Sequence, residues 1–258
     1  MTFAVDAEIY DRFVGRYGDE LGRELAGRAD VQPGMRALDV GAGTGKLTRV
    51  LARIVGEENV AAVDPSEPFV AALTERFPAA DVRTGAAEEL PFADDSFDAV
   101  LAQLVMNFLH DPERGVDEML RVARDGGVVA AAVWDYGHEM TLLTTFWEAA
   151  AALDARGVAA LDERARMRFG RENGLGELWL DAGVRGTTSG EIVVSAAYES
   201  FDDLWEPFTR GVGPAGAYAA SLEPEALQAL RDEYYRRLGS PRGPFELTAR
   251  AWYAVGRK

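Results

Sequence analysis

Apolar and polar positions in the first half of the chain follow two alternating patterns. Short segments with the pattern of strands, most of them predominantly apolar, occupy 36–40, 60–63, 80–84, 97–103 and 128–134. Between them, segments at 44–55, 66–77 and 111–123 have the spacing of amphipathic helices. Strands that are continuously apolar, and not alternating, are typical of a parallel sheet covered on both faces. The pattern therefore predicts a doubly wound α/β fold.

The two ends of the chain follow other patterns. Apolar residues at four-residue spacing from Ile9 to Leu25 predict a helical stretch over 6–29, which Gly15 and Gly18 break into two helices. After residue 134 the pattern is less regular. It predicts helices, one β-rich piece and a closing strand at 141–155, 174–182, 191–197 and 245–256, with helical and Gly/Pro-rich segments at 200–240.

A glycine-rich loop, Asp39-Val40-Gly41-Ala42-Gly43-Thr44-Gly45, follows the first predicted strand and opens a helix. Glycines there let the backbone approach a ligand closely. A dinucleotide fingerprint needs Gly or Ala where this chain has Lys46. A phosphate-binding P-loop needs Gly at position 40 and Ser or Thr at position 47, which are Val and Leu. The remaining spacing is Gly-x-Gly-x-Gly.

One acidic residue, Asp64, ends the second predicted strand about 20 residues after the loop. A carboxylate at this place can accept hydrogen bonds from both hydroxyl groups of a ribose. The alternative is a helix-capping acid before Ser66. The loop and this acid together indicate a nucleoside-bearing cofactor at the carboxyl edge of the sheet.

Four stretches in the same order and spacing carry a family resemblance. They are YDRFVGRYGDEL (10–21), LDVGAGTGKLT (38–48), VDPSEPFV (63–70) and GAAEELPFADDSFDAVLAQLV (85–105). With these motifs the chain resembles the class I S-adenosylmethionine-dependent methyltransferases, in particular the ubiquinone/menaquinone-biosynthesis type. The resemblance implies a Rossmann-like, mostly parallel seven-stranded sheet with N-terminal helices and a helical lid. It further implies a single domain over 1–258, with a cofactor-binding half at 1–135 and substrate or lid segments plus closing strands at 136–258.

The resemblance also implies roles for individual residues toward S-adenosylmethionine and its product S-adenosylhomocysteine. Gly41, Ala42 and Gly43 would contact the methionine part, and Asp64 would hold the ribose hydroxyls. Pro65, Ala86 and Ala87, the last through its backbone, would lie along the adenine, and Gln103 would face the sulfonium region. Arg16 and Tyr17 would belong to an N-terminal segment that closes over the cofactor. The chain departs from the family at Ala86, where relatives often have Asp, and at Asn107 and Phe108, where many have His.

Charge and composition indicate which classes of binding partner are disfavoured. The chain has 258 residues with 43 acidic and 27 basic side chains, a net charge of −16, which disfavours nucleic acid and anionic membrane as partners. It has no cysteine and only two histidines, so we expect no metal site. Acidic residues near the N-terminus and the absence of an apolar run of about 20 residues predict a cytoplasmic protein without a membrane span.

Methyl transfer from a sulfonium needs mainly alignment and exclusion of water, although an acceptor of high pKa gains from a general base. His110, His138 and Asp135 follow the fourth and fifth predicted strands and are candidates for that base. The alternative for each histidine is a solvent-exposed loop position.

The region after residue 136 suggests what the acceptor is like. Its aromatic residues indicate either a pocket for a flat apolar metabolite or the core of a lid; they are Phe146, Trp147, Trp179, Trp205, Phe208 and Tyr218. The arginines at 164, 166, 168 and 171 indicate either an anionic substrate or a solvated helix face.

The sequence predicts a small-molecule methyltransferase acting as a monomer or homodimer. An alternative is a protein of the same fold that binds the cofactor without methylating, as a regulatory subunit or scaffold. A nicotinamide oxidoreductase is disfavoured by Lys46 and by the absence of a Ser/Tyr/Lys proton relay. A methyltransferase acting on RNA or DNA is disfavoured by the acidic charge, whereas protein substrates stay open. The acceptor and the methylated atom do not follow from the sequence.

Overall fold

The computed structural model describes residues 12–159 and 161–258. A seven-stranded sheet has the strand order β3-β2-β1-β4-β5-β7-β6. Strands β1 to β5 pair in parallel, and β7 runs antiparallel to β5. The strands are β1 Ala37–Val40, β2 Val60–Asp64, β3 Asp81–Thr84, β4 Phe97–Gln103, β5 Ala123–Trp134, β6 Arg185–Tyr198 and β7 Phe245–Arg257.

Helices connect the parallel strands and fill the second half of the described chain. They are α1 Gly18–Arg28, α2 Lys46–Val55, α3 Glu67–Arg76, α4 Pro112–Val122, α5 Thr141–Val158, α6 Gly174–Asp181, α7 Phe201–Thr209, α8 Gly213–Ala220 and α9 Pro224–Arg237. Asp111 begins α4 as an N-cap, because its side chain accepts a hydrogen bond from the backbone N–H of Arg114, and Pro112 follows it in the first turn. None of the described helices has both the length and the apolar character that crossing a membrane requires.

The predicted doubly wound fold is confirmed. All residues of β1 and β2 are buried, as expected for strands covered on both faces, and β4 has the predicted bounds. The N-terminal prediction is confirmed only in part. Val14–Tyr17 form a short 3-10 helix and α1 begins at Gly18, whereas residues 6–11 of the predicted helical stretch lie outside the described residues.

The chain forms two compact units, and β6 and β7 contribute residues to both. The unit called here the sheet unit comprises Gly18–Trp134, Arg168–Ile192 and Ala251–Lys258. The other, called the aromatic unit, comprises, among the described residues, 12–17, 135–167 and 193–250. One boundary between the units lies at Asp135, where the sequence predicts the division between a cofactor-binding half and the substrate segments. The sheet unit nevertheless also contains Arg168–Ile192 and Ala251–Lys258, from the second half of the chain. The assignment of 1–258 as a single domain stays a prediction.

Candidate functional site

The glycine loop connects β1 to α2 at the carboxyl edge of the parallel strands. Gly41, Gly43 and Gly45 all have positive φ, at 69°, 52° and 81°. A Cβ on Gly41 would lie 2.3 Å from Cγ2 of Val105, and one on Gly45 would lie 2.5 Å from Cδ2 of Leu73. A Cβ on Gly43 would meet nothing within 4 Å. Two of the glycines therefore permit close packing, and the third leaves the backbone open to a ligand.

Backbone hydrogen bonds hold this loop against the end of β2. The N–H groups of Gly41 and Ala42 both donate to the carbonyl of Val63, at 2.8 and 3.0 Å. The N–H of Gly43 donates to Oδ2 of Asp64 at 2.9 Å. The loop and Asp64, separate in sequence, therefore form one rigid arrangement at the edge where ligands bind in such sheets.

Asp64 is 7% exposed, and burial raises the pKa of its carboxyl group. Its Oδ2 accepts from Gly43 and its Oδ1 accepts from the N–H of Ser66 at 2.8 Å. A carboxylate oxygen has two lone-pair sites, so each oxygen keeps one acceptor position. Two such positions side by side match the two hydroxyls of a ribose. The Ser66 contact agrees with the capping interpretation as well, because one carboxylate can do both.

A second buried acid, Asp39 in β1, was not assigned a role from the sequence. It is 1% exposed and accepts a 2.6 Å hydrogen bond from Oγ1 of Thr48. Burial raises the pKa of Asp39 to about 7, and the nearby charge of Asp64 adds to this effect. The signal that could have identified it is a carboxylate inside an otherwise apolar strand, ALDV.

The predicted adenine contacts follow β2 and β3. Pro65 is exposed, and the turn after β3 is held by the N–H of Gly85, which donates to the carbonyl of Asp64 at 3.1 Å. The methyl group of Ala87 belongs to the hydrophobic core of the sheet unit. The side chain of Ala87 is thus taken up by core packing, which leaves its backbone for a ligand. The adenine roles of Pro65, Ala86 and Ala87 stay predictions.

Gln103, predicted to face the sulfonium region, ends β4 and contacts α1. Its Nε2 donates to the carbonyl of Gly18 at 3.0 Å. Its Oε1 is buried, has no hydrogen-bond partner among the described residues and would lie 3.0 Å from a Cβ on Gly22. Gln103 thus links α1 to the sheet in this structure, and its role toward a cofactor stays a prediction.

Arg16 and Tyr17 belong to the aromatic unit and contact residues of that unit. Arg16 forms an ion pair with Asp203, donates to the carbonyl of Ala197 at 3.0 Å and lies over the ring of Tyr198. The hydroxyl of the buried Tyr17 lies 3.2 Å from that of Tyr198, and burial raises the pKa of Tyr17 strongly. Their predicted role in closing over a cofactor is not tested by these contacts.

Both candidate histidines lie on exposed loops, which agrees with the solvent-exposed alternative. The backbone N–H of His110 donates to Oε1 of Glu88 at 2.9 Å, and that of His138 donates to Oδ1 of Asp135 at 3.3 Å. Both side chains are exposed to solvent. The role of either histidine as a general base stays a prediction.

Asp135, the third candidate base, is 1% exposed and heavily hydrogen-bonded. It accepts from the N–H groups of Gly137, His138 and Glu139, and Nη2 of Arg250 lies 2.7 Å from its Oδ2. A carboxylate with these donors organises the turn after β5. Acting as a base would require it to give up part of this network, which favours a structural role.

The aromatic residues after 136 separate into two groups. Those of the aromatic unit cluster around Phe146, whose ring stacks on Phe208 with centroids 4.4 Å apart; Trp147, Trp205 and Tyr218 join them. Trp179 instead lies in the core of the sheet unit, where its Nε1 donates to the carbonyl of Val129 at 3.3 Å.

The arginine-rich segment has acidic partners. Arg164, Arg168 and Arg171 form ion pairs with Asp162, Glu113 and Glu177. These pairs favour the solvated-face interpretation of the segment over an anionic substrate site.

The segment that contains the glycine loop is similar to known proteins. A methyltransferase domain profile matches residues 38–131. A demethylmenaquinone methyltransferase of Desulfitobacterium hafniense is 36% identical over 109 residues, which are 40% of this chain and 43% of that protein. The match thus spans less than half the length of that relative.

Two solved structures show the fold alone at low identity. The YcgJ protein of Bacillus subtilis is 17% identical, with a TM-score of 0.57 over 93% of this chain and 98% of that one. A phosphoethanolamine N-methyltransferase of Haemonchus contortus, solved with S-adenosylhomocysteine, is also 17% identical, with a TM-score of 0.57 over 92% of this chain and 52% of that one.

The comparisons and the geometry agree on the glycine loop and the strands around it. The profile begins in β1 and ends in β5, so it contains the loop, Asp64 and the turns after β3 and β4. S-adenosylmethionine is the cofactor of this class of domain. Residues 38–131 belong to the family of class I, S-adenosylmethionine-dependent methyltransferase domains.

Proposed function

We propose that the whole chain transfers the methyl group of S-adenosylmethionine to a small-molecule acceptor. The observation that carries the proposal is the coupling of Asp64 to the glycine loop: its carboxylate bonds the N–H of Gly43 and keeps an acceptor position on each oxygen. The open space beside Gly43 provides for close approach of a ligand to the backbone. Both features suit a nucleoside with an attached amino-acid chain.

When bound, S-adenosylmethionine supplies a sulfonium methyl group with a good leaving group. The residues of the chain would bind the cofactor and orient its methyl group. Gly41, Ala42 and Gly43 would hold the methionine part, and Asp64 would hold the ribose hydroxyls. The remaining contacts expected from the family are those of Pro65, Ala86, Ala87, Gln103, Arg16 and Tyr17.

The acceptor in this proposal is flat and apolar. The support is the aromatic character of the segments after residue 136, in which Tyr218 is partly exposed at the edge of the ring cluster around Phe146 and Trp147. The net charge of −16 disfavours RNA or DNA as the acceptor. Rate acceleration comes mainly from alignment, with His110 or His138 as candidate bases.

The first test is calorimetric titration with S-adenosylmethionine, S-adenosylhomocysteine and NADH. We expect the two sulfur nucleosides to bind and Asp64→Ala to weaken them at least tenfold, about 1.4 kcal/mol. Asp117→Ala, an exposed acid on α4, is the matched control and leaves binding unchanged. Circular dichroism verifies that each variant is folded. Binding of NADH alone would overturn the proposal.

The second test separates methylation from binding. The protein is incubated with S-adenosylmethionine labelled in its methyl group and with a low-molecular-weight metabolite fraction, and transferred label is measured by chromatography. Label in a small molecule, lost in Asp64→Ala, supports the proposal. Nucleoside binding without transfer to any tested fraction would favour a protein that binds the cofactor without methylating.

A further inference from the structure

The sheet unit has a second concave site, on the edge opposite the glycine loop. A groove of about 220 Å³ is lined by residues from the end of α1, the beginning of β5, the beginning of β6 and the end of β7. The carboxyl ends of the parallel strands lie at Val40, Asp64, Gln103 and Trp134, whereas β5 contributes Val128, near its amino end, to this groove. The groove is therefore distinct from the candidate methyltransferase site.

Three arginines line the groove: Arg28, Arg185 and Arg257. Nη1 of Arg28 donates to the hydroxyl of Tyr253 at 3.2 Å, and Nη1 of Arg257 donates to the carbonyl of Gly126 at 2.9 Å. Arg185 donates to the main-chain oxygen of Lys258. A guanidinium has five N–H donors, so most donors of all three groups are left for a ligand.

These arginines differ from most others in this acidic chain. Elsewhere arginines meet carboxylates, as in the pairs Arg83 with Asp81 and Arg121 with Glu118. Among the described residues, no Asp or Glu side chain forms an ion pair with any of the three groove arginines. With three arginines and one acidic residue, Asp30, in its lining, the groove carries an excess of positive charge, although the net charge of the chain is −16.

The groove is built from fixed parts. The guanidinium of Arg28 lies 5.1 Å from the ring centroid of Tyr253, which is 8% exposed and packs against Gly190 of β6. Gly186, with φ of 62°, leaves open space where a Cβ would be. The acidic residue in the lining, Asp30, accepts a 2.7 Å hydrogen bond from Nε2 of Gln32. Among the described residues, the carboxylate of Asp30 therefore bonds Gln32 and forms no ion pair with the groove arginines.

We propose that this groove binds a small, multiply charged anion of the phosphate class. Arginine is suited to this ligand because its planar fork matches two phosphate oxygens at once. The groove of about 220 Å³ has several times the share of about 30 Å³ that one water molecule has in the liquid, so it has room for an anion of several heavy atoms. A diphosphate or a phosphorylated metabolite fits the charge and the size.

The test is calorimetric titration of the full chain, saturated with S-adenosylhomocysteine, with inorganic diphosphate and separately with glycerol 3-phosphate, at constant ionic strength. The two probes distinguish an inorganic ligand from a phosphorylated metabolite. We expect saturable binding of at least one probe and a loss of affinity of at least tenfold in the double variant Arg28→Gln/Arg257→Gln.

The control is the double variant Arg23→Gln/Arg53→Gln, which removes the same charge from exposed positions outside the groove and keeps the affinity within twofold. Retained binding of S-adenosylhomocysteine shows that both variants are folded, and this readout is independent of the groove. If the unmodified protein binds no S-adenosylhomocysteine, the proposed function fails. The titrations with the two phosphate probes still test the groove in that case, because they do not depend on the cofactor. Absence of saturable binding by either probe, or equal weakening in both double variants, would overturn the proposal.

Discussion

The sheet unit and the aromatic unit reach a buried core by different means. The core of the sheet unit is largely aliphatic and comes from consecutive residues of short strands, as in ALDV of β1 and VAAVD of β2. The core of the aromatic unit comes from single rings contributed by separate helices, as in the stack of Phe146 on Phe208. The first core is formed by residues that are neighbours in the sequence and the second is not. The pattern of apolar residues therefore predicts the first core more fully than the second.

The two units also use buried polar groups differently. In the sheet unit, Asp39 and Asp64 lie at or near the carboxyl edge of the strands, where burial raises the pKa of both. In the aromatic unit, Asp135 is neutralised by Arg250 and by backbone N–H groups. An incompletely compensated carboxylate is costly to bury, which supports the binding role that we propose for Asp64, whereas the donors around Asp135 hold the turn after β5.

The largest expected effect is in the aromatic unit. Phe146→Ala removes a fully buried ring at the centre of the cluster, and we expect a loss of about 3–5 kcal/mol in the free energy of unfolding. Leu153→Ala, a 51% exposed position on the same helix, is the control and is expected to cost far less. Urea denaturation followed by circular dichroism measures both. Similar losses in the two variants would contradict a ring-based core.

The next effect compares two glycines of the loop. Gly41→Ala places a methyl group against Val105 at positive φ, and strain plus overpacking is expected to cost about 2–4 kcal/mol of unfolding free energy. Gly43→Ala has positive φ but open space, so only the backbone cost of about 1–2 kcal/mol applies. Urea denaturation of both variants checks the order. A larger cost at Gly43 would show that the packing argument is wrong.

The smallest effect depends on pH and tests the buried acid. The pKa of Asp39 is raised to about 7 in the folded state, above its unfolded value, so its contribution to stability is complete below about pH 4 and is lost as the pH rises toward 7. Asp39→Asn cannot ionise. Between pH 5 and pH 8 we expect the variant to gain about 1–2 kcal/mol relative to the wild type.

Urea denaturation at several pH values measures this difference, with Asp117→Asn as the exposed control. Parallel stability curves for the wild type and Asp39→Asn would show that Asp39 ionises in the folded state as easily as in the unfolded chain. The curves of the wild type and of Asp117→Asn are expected to decline with pH more steeply than that of Asp39→Asn, because only Asp39→Asn lacks the buried charge.

Part of the fold was predictable from the sequence because the signals were local. The bounds of β4 and the Asp111-Pro112 start of α4 followed from neighbouring residues alone. The helices α7, α8 and α9 were anticipated only as an irregular region of helical and Gly/Pro-rich segments. Their boundaries depend on caps and on ring contacts to distant residues, such as Phe201 with Tyr235 and Phe146 with Tyr218, which a single sequence does not display.

The candidate site divides in the same way. The sequence by itself determined the glycine loop, its register with Asp64 and hence the class of domain, because strand periodicity and loop spacing act over a few residues. Only the tertiary structure decided that Gln103 contacts α1, that Asp39 is buried near the loop and that Arg28, Arg185 and Arg257 line one groove. The groove depends on the order in which β5, β7 and β6 lie side by side. The burial of Asp39 and the contact of Gln103 with α1 depend on packing between segments that are distant in the chain, which the residues of any one segment do not display.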